Sequence, residues 1–165
     1  MFLTLTAVIF GGNSCLKDKI EDPVNYTPER ENAIITAYID SLESNGFDVD
    51  TSDMGIFYTI VQEGEGDYVM PGDSIGIIYI GYFPENRTIF DASDYWFDGG
   101  VWKFSYLSND LIEGFDESIG LLNKGAEGLF LIPSELGYGP DGSNNGSIPP
   151  YSALVFDIKL VDIYQ

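Results

Sequence analysis

A chain of 165 residues with no histidine and one cysteine has few routes to covalent or proton-transfer chemistry. Without imidazole there is no His-dependent triad, no His-ligated zinc and no imidazole acid–base step. The single thiol, Cys15, has no partner for an intrachain disulfide. The pairs Asp91/Asp94 and Asp116/Glu117 have the residue types of acid catalysis. With 27 Asp and Glu in the chain such pairs arise by chance, so a solvated face is the better reading of them. Asp141, Ser143, Asn145 and Gly146 match the first half of a calcium loop, but its twelfth position is Ser152 and carries no carboxylate. A flexible Gly/Asn turn fits that segment better. What remains is an aromatic load, 11 Tyr and 11 Phe, and one unusual stretch from Ile132 to Phe156. That stretch leaves an apolar run, crosses Gly, Pro, Asn and Ser, and re-enters an apolar run. Tyr138 lies between two glycines at its start, and Ile148 precedes a Pro-Pro pair. Aromatics in such number fill a β-rich core and also suit an apolar binding pocket.

The elements that would position these residues follow from periodicity. Apolar residues make up 44 % of the chain, enough for one core. Thr27 is a good N-cap, Pro28 suits the first helical position, and Glu29 and Glu31 favour the positive end of a helix dipole. Arg30 leaves the capping box incomplete. Ile34, Tyr38 and Leu42, with Ile35 and Ile39 beside them, predict a helix over 28–45, whose stripe would pack on the following domain in preference to a partner chain. From Gly55 the period becomes two. Strands are expected at 56–61, 75–83, 89–91, 101–107, 126–132 and 153–163, with turns at 63–67 and 71–73. Phe115, Ile119 and Leu122 predict a short helix over 115–123, closed by Lys124 and Gly125. On the last strand Leu154, Phe156, Ile158 and Leu160 share one face. The fold class is α+β: an antiparallel sheet wrapped on one short helix, preceded by an N-terminal helical extension.

Net charge is −20, with only 7 Lys and Arg, which argues against nucleic-acid binding and against electrostatic attraction to a membrane. The first fourteen residues are apolar and then small, and too short to span a bilayer as a helix. They resemble a secretory signal that ends before Cys15, as at a bacterial lipoprotein processing site. Two features depart from that pattern: no positive n-region, and Gly12 where a larger aliphatic is commoner. The alternative is a buried strand with an incidental cysteine. Residues 1–15 are taken as signal and lipidation segment, 16–54 as tether and N-terminal helix, and 55–165 as the main domain. The expected location is the bacterial cell envelope, with membrane attachment only through lipid on Cys15. The Asn-Xaa-Ser/Thr patterns at Asn25, Asn86 and Asn145 carry no weight in a bacterial chain.

Six segments occur in one familiar order: Y-I-G at 79–81, F-D-A-S at 90–93, L-I-E-G-F at 111–115, G-Y-G at 137–139, I-P-P at 148–150 and A-L-V-F-D-I-K-L at 153–160. Each alone is weak; together and in order they are specific. Gly55 to Tyr164 resembles the FKBP-type peptidyl-prolyl cis–trans isomerases. The resemblance implies a curved antiparallel sheet around a short helix and an aromatic pocket for a prolyl ring. Tyr79, Phe90 and Phe156 would be its walls, with Trp102 in place of a further wall aromatic. Phe115 would be the floor. Leu111 and Ile112 would form a rim, with the Ile112 N–H as a donor. Ile148 would close the far side, Tyr138 would aim its hydroxyl at a substrate carbonyl, and Asp91 would be the one carboxylate beside the pocket. Proline-containing peptides or unfolded proteins would be the partners, and the family's macrolide ligands would share the pocket. No cofactor is called for.

The physical basis of such a site is simple. Rotation about the prolyl imide meets a barrier of roughly 18–20 kcal/mol because resonance is lost on twisting. The twisted form has a less polar carbonyl, so an apolar, water-poor pocket favours it over the planar form. That is catalysis by differential binding, with no nucleophile or base. Three features depart from the family pattern: Phe115 where Trp is usual, a longer 94–101 segment without the usual basic residues, and a polar 140–147 loop. Two function classes follow: an isomerase assisting protein folding at the envelope, or a non-catalytic peptide- or protein-binding module of the same fold.

Overall fold

The structure is a computed structural model, described here for residues 24–108 and 110–164. The expected signal segment and the lipidation site at Cys15 lie outside the described residues.

Helix α1 (Pro28–Ser44) starts where the sequence provides a cap: Thr27 is extended, and its hydroxyl accepts from the Arg30 N–H at 3.2 Å. Strand β1 (Asp50–Thr51) follows, then β2 (Phe57–Gln62), β3 (Glu65–Tyr68), the long β4 (Ser74–Tyr82), β5 (Ile89–Ala92) and β6 (Trp102–Ser105). Helix α2 (Glu113–Gly120) precedes β7 (Asn123–Lys124), β8 (Glu127–Ile132) and β9 (Leu154–Tyr164). The main sheet runs β1-β2-β8-β9-β4-β5, and β6 pairs with the first half of β4. All pairings are antiparallel.

The period-two pattern decides which face is buried. Leu154, Phe156, Ile158 and Leu160 of β9 and Ile75, Ile77 and Tyr79 of β4 point inward, onto Phe115 and Ile119 of α2. These residues form one core. The other sheet face holds Leu131 and Val155, with Ala153 beside them, and α1 covers it with Ile35 and Tyr38. The Tyr38 and Tyr82 hydroxyls share a hydrogen bond of 2.9 Å. Thus the N-terminal helix packs within the same chain.

Two local expectations fail. Residues 63–67 do not form a simple turn, because β3 begins at Glu65 and pairs with β7. All four β3 residues are exposed, so no apolar alternation marks the strand in the sequence. The second helix spans 113–120 rather than 115–123. Pairing of Asn123 and Lys124 with β3 draws the chain out of the helix, while Leu122 stays fully buried.

Candidate functional site

The inner face of the sheet and the start of α2 together leave a cavity of about 590 Å³, a size suited to a small apolar ligand. Tyr79, Phe90, Asp91, Trp102, Leu111, Ile112, Phe115, Tyr138, Ile148 and Phe156 all line it. Four further residues that sequence reasoning did not assign to a pocket also line it: Trp96, Asp110, Asn145 and Ser147.

The base is built from rings meeting edge to face. The Phe115 ring centroid lies 5.4 Å from Tyr79 at 78° and 4.9 Å from Phe156 at 70°. Phe90 meets Phe156 at 5.5 Å and 86°. Such geometry sets positive ring edges against negative faces. It requires Gly81 on β4, since a Cβ there would stand 2.8 Å from atoms of both Phe90 and Phe156. On the other side Trp102 is stacked between Phe97 and Phe104, at 5.8 and 4.2 Å. Phe97 belongs to the long 94–101 segment, which therefore braces a wall.

Asp91 is held by three donors. The Tyr79 hydroxyl gives one hydrogen bond of 2.9 Å, the Trp96 indole N–H one of 2.8 Å, and the Ala92 N–H one of 2.9 Å. Burial, followed by the bond to Asp91 and its charge, pushes the Tyr79 phenol well above its usual value. Trp96 itself is 71 % exposed at the cavity mouth. Asp91 is not the one carboxylate present, because Asp110 also reaches the cavity.

The remaining parts lie at loop and helix ends. Ile112 is the N-cap of α2 with extended backbone, and among the described residues its N–H donates to no backbone carbonyl. It belongs to the helix start, where the first N–H groups have no partner within the helix itself. Tyr138 is 41 % exposed, and burial, then the Asp91 charge, raise its phenol above the ordinary value. It therefore stays protonated and able to donate. Residues 140–147 form turns, as expected, and hydrogen bonds tie them together. Ser143 N–H donates to the Ile148 carbonyl at 2.9 Å, Ile148 N–H donates to the Ser143 hydroxyl at 2.8 Å, and Asn145 Oδ1 accepts from Ser147 N–H at 3.1 Å. Short polar side chains bond back to nearby backbone, and this loop uses that tendency to fix Ile148.

Of the missed residues, Trp96 had the nearest thing to a signal: the central ring of the Tyr95-Trp96-Phe97 cluster, five residues after Asp91. Asp110, Asn145 and Ser147 had none, since their types are common in any acidic loop. The carboxylate pairs create no acid site; Asp116 lies on α2 with one oxygen buried and without a hydrogen-bond partner.

A sequence profile of the FKBP-type peptidyl-prolyl cis–trans isomerases matches residues 66–161, more than half of the chain. A Haemophilus influenzae protein named "Probable FKBP-type peptidyl-prolyl cis-trans isomerase" is 35 % identical over 120 residues, covering 73 % of this chain and 47 % of that protein. The FK506-binding protein of Neisseria meningitidis serogroup B is 35 % identical over 112 residues, covering 67 % of this chain and 98 % of its own length. The chain thus spans about half of the first relative and nearly all of the second. The crystal structure of FkpA from Escherichia coli superposes with a TM-score of 0.64 at 28 % identity, covering 82 % of this chain and 61 % of that one. By sequence profile, relatives and fold, the chain belongs to the FKBP-type peptidyl-prolyl cis–trans isomerase family.

Proposed function

We propose that this chain isomerises Xaa-Pro bonds in folding proteins by binding the prolyl ring in the aromatic cavity. The observation that carries the reading is that cavity: an aromatic base of Phe115, Tyr79 and Phe156, with the Tyr138 phenol and the Ile112 backbone N–H at its mouth. The apolar base would hold the pyrrolidine ring. The Ile112 N–H and the Tyr138 hydroxyl would hold the flanking carbonyls, fixing one side of the imide while the other turns. Removing water from the imide carbonyl disfavours the more polar planar form, so the twisted form binds better. Asp91 acts as an acceptor that orients Tyr79 and Trp96, and no proton transfer is needed.

The clients would be proline-containing segments of proteins folding at the bacterial cell envelope. The signal-like segment before Cys15 supports that location. Lipid on Cys15 would attach the chain to the membrane. Among the described residues no helix is long and apolar enough to cross a membrane. Macrolides bound by relatives of the FK506-binding kind would compete for the same cavity.

A protease-coupled assay on Xaa-Pro peptides tests the reading. Turnover above the uncatalysed rate is expected, with competition by FK506. Binding of the peptide without any rate would instead identify a binding module. Palmitate labelling tests the anchor: incorporation that persists in Cys15→Ala would refute it.

A further inference from the structure

Outside the cavity, one buried polar contact joins segments far apart in sequence. Glu31, in the first turn of α1, is 7 % exposed. One of its oxygens accepts the Ser134 N–H at 2.5 Å, and the other accepts the Ser134 hydroxyl at 2.7 Å. The two residues are separated by 103 positions. Ser134 opens a single 3-10 turn, Ser134–Leu136, that leads directly into Gly137-Tyr138-Gly139. Its carbonyl is used twice on that side. It accepts the Gly137 N–H at 2.9 Å and the Gly139 N–H at 2.8 Å. The residues on both sides of Tyr138 thus hang from one carbonyl, and the N–H and hydroxyl of that same residue are gripped by Glu31.

We propose that Glu31 is a positioning residue for Tyr138, so that the N-terminal helix sets the aim of the phenol in the prolyl cavity. This inference rests on the role proposed for Tyr138. A carboxylate accepting two hydrogen bonds in a buried place is a strong, directional clamp. It acts on Ser134 as a rigid pivot, because that residue's backbone and side chain are both engaged. Gly114 brings the neighbouring start of α2 against the same turn: a Cβ there would collide with Ile132 and stand 3.2 Å from the Leu136 carbonyl. The turn is therefore held from α1 on one side and from α2 on the other. On its far side the Tyr151 N–H donates to the Gly139 carbonyl at 3.0 Å. Without Glu31 the turn keeps its own internal bonds but loses its external anchor, and the Tyr138 hydroxyl spreads over a wider volume.

The test is a double-variant cycle on the full chain, with kcat/KM on an Xaa-Pro peptide and Tm as readouts. Glu31→Ala should lower kcat/KM by about threefold, bounded by the loss that removal of the Tyr138 hydroxyl itself causes. The same substitution should have no further effect in a Tyr138→Phe background, because the group it aims is gone. Ser134→Ala keeps the N–H contact and loses only the hydroxyl, so it should give a smaller loss with the same dependence on Tyr138. It also serves if Glu31→Ala fails to fold. Glu31→Gln should recover part of the rate. Unchanged kcat/KM in Glu31→Ala or Ser134→Ala, with Tyr138→Phe impaired, overturns the inference alone. So do losses that multiply in the double variant, which would mean a purely structural role. Wild-type turnover in Tyr138→Phe, or none in the wild type, would sink both this inference and the isomerase mechanism it rests on.

Discussion

At the scale of single residues, the site depends on what each atom can donate or exclude. Tyr138→Phe removes one donor and almost no volume. A hydrogen bond of this kind is worth about 0.5–1.5 kcal/mol, so kcat/KM should fall by about tenfold or less while Tm stays unchanged. Initial rates in the coupled assay and a thermal melt check both halves. Phe115→Ala should behave differently. Its ring is buried and touches both Tyr79 and Phe156, so truncation should cost roughly 3–5 kcal/mol of stability and cut peptide binding and rate together. Unchanged affinity would contradict its place under the prolyl ring. These residues were legible because their neighbours form a recognisable ordered set in the sequence. Trp96 was not legible, because its contact with Asp91 crosses a loop whose path no periodicity encodes. Asp110 was missed for a related reason: in so acidic a chain, one more carboxylate is not a signal.

At the scale of elements, the cavity exists because β4 and β9 lie side by side with Gly81 opposite Phe156. The missing side chain at Gly81 is what lets Phe90 and Phe156 meet. Gly81→Ala should therefore splay two walls at once. Overpacking of this kind costs about 1–3 kcal/mol, and the walls that move belong to the site, so activity should fall along with Tm. Near-ultraviolet circular dichroism would report the disturbed aromatic packing. The strands that carry the core were readable from alternation, and β9 is the clearest instance. Strand β3 was unreadable because its four residues are all exposed, and only backbone pairing with β7 defines it. The packing of α1 was anticipated from its stripe of Ile and Tyr. What the stripe does not encode is the Glu31 contact, since a glutamate in a first helical turn reads as a dipole partner and points to no particular acceptor site elsewhere.

At the scale of the whole molecule, charge governs two behaviours. Asp116 and Asp157 both have carboxyl pKa values raised above the usual range, chiefly by burial. The folded state therefore binds protons more readily than the unfolded chain between the ordinary value of 3.8 and the raised ones. Stability from these groups is full below that window and is lost as pH rises through it. Tm should rise on mild acidification, and Asp116→Asn with Asp157→Asn should flatten the dependence. Asp162, lowered by Lys124, acts in the opposite sense, but Lys124 is exposed and Asp162 partly so, and solvent screens the pair. The second behaviour concerns substrates. The net charge is −20, and among the described residues the cavity is lined by Asp91 and Asp110 with no Lys or Arg. A peptide with a cationic residue beside the proline is drawn into this field, and an acidic one is repelled from it. At low salt, kcat/KM for a Lys-flanked Xaa-Pro peptide should exceed that for its Glu-flanked counterpart by about tenfold, since about 1.4 kcal/mol of differential interaction suffices. Near 1 M salt the Debye length shrinks to about 3 Å, so most of the difference should vanish. A difference that survives high salt would instead point to direct contact with Asp110 or Asp91. Asp110→Asn then tells the two apart, because it removes a local partner while changing the net charge by only one.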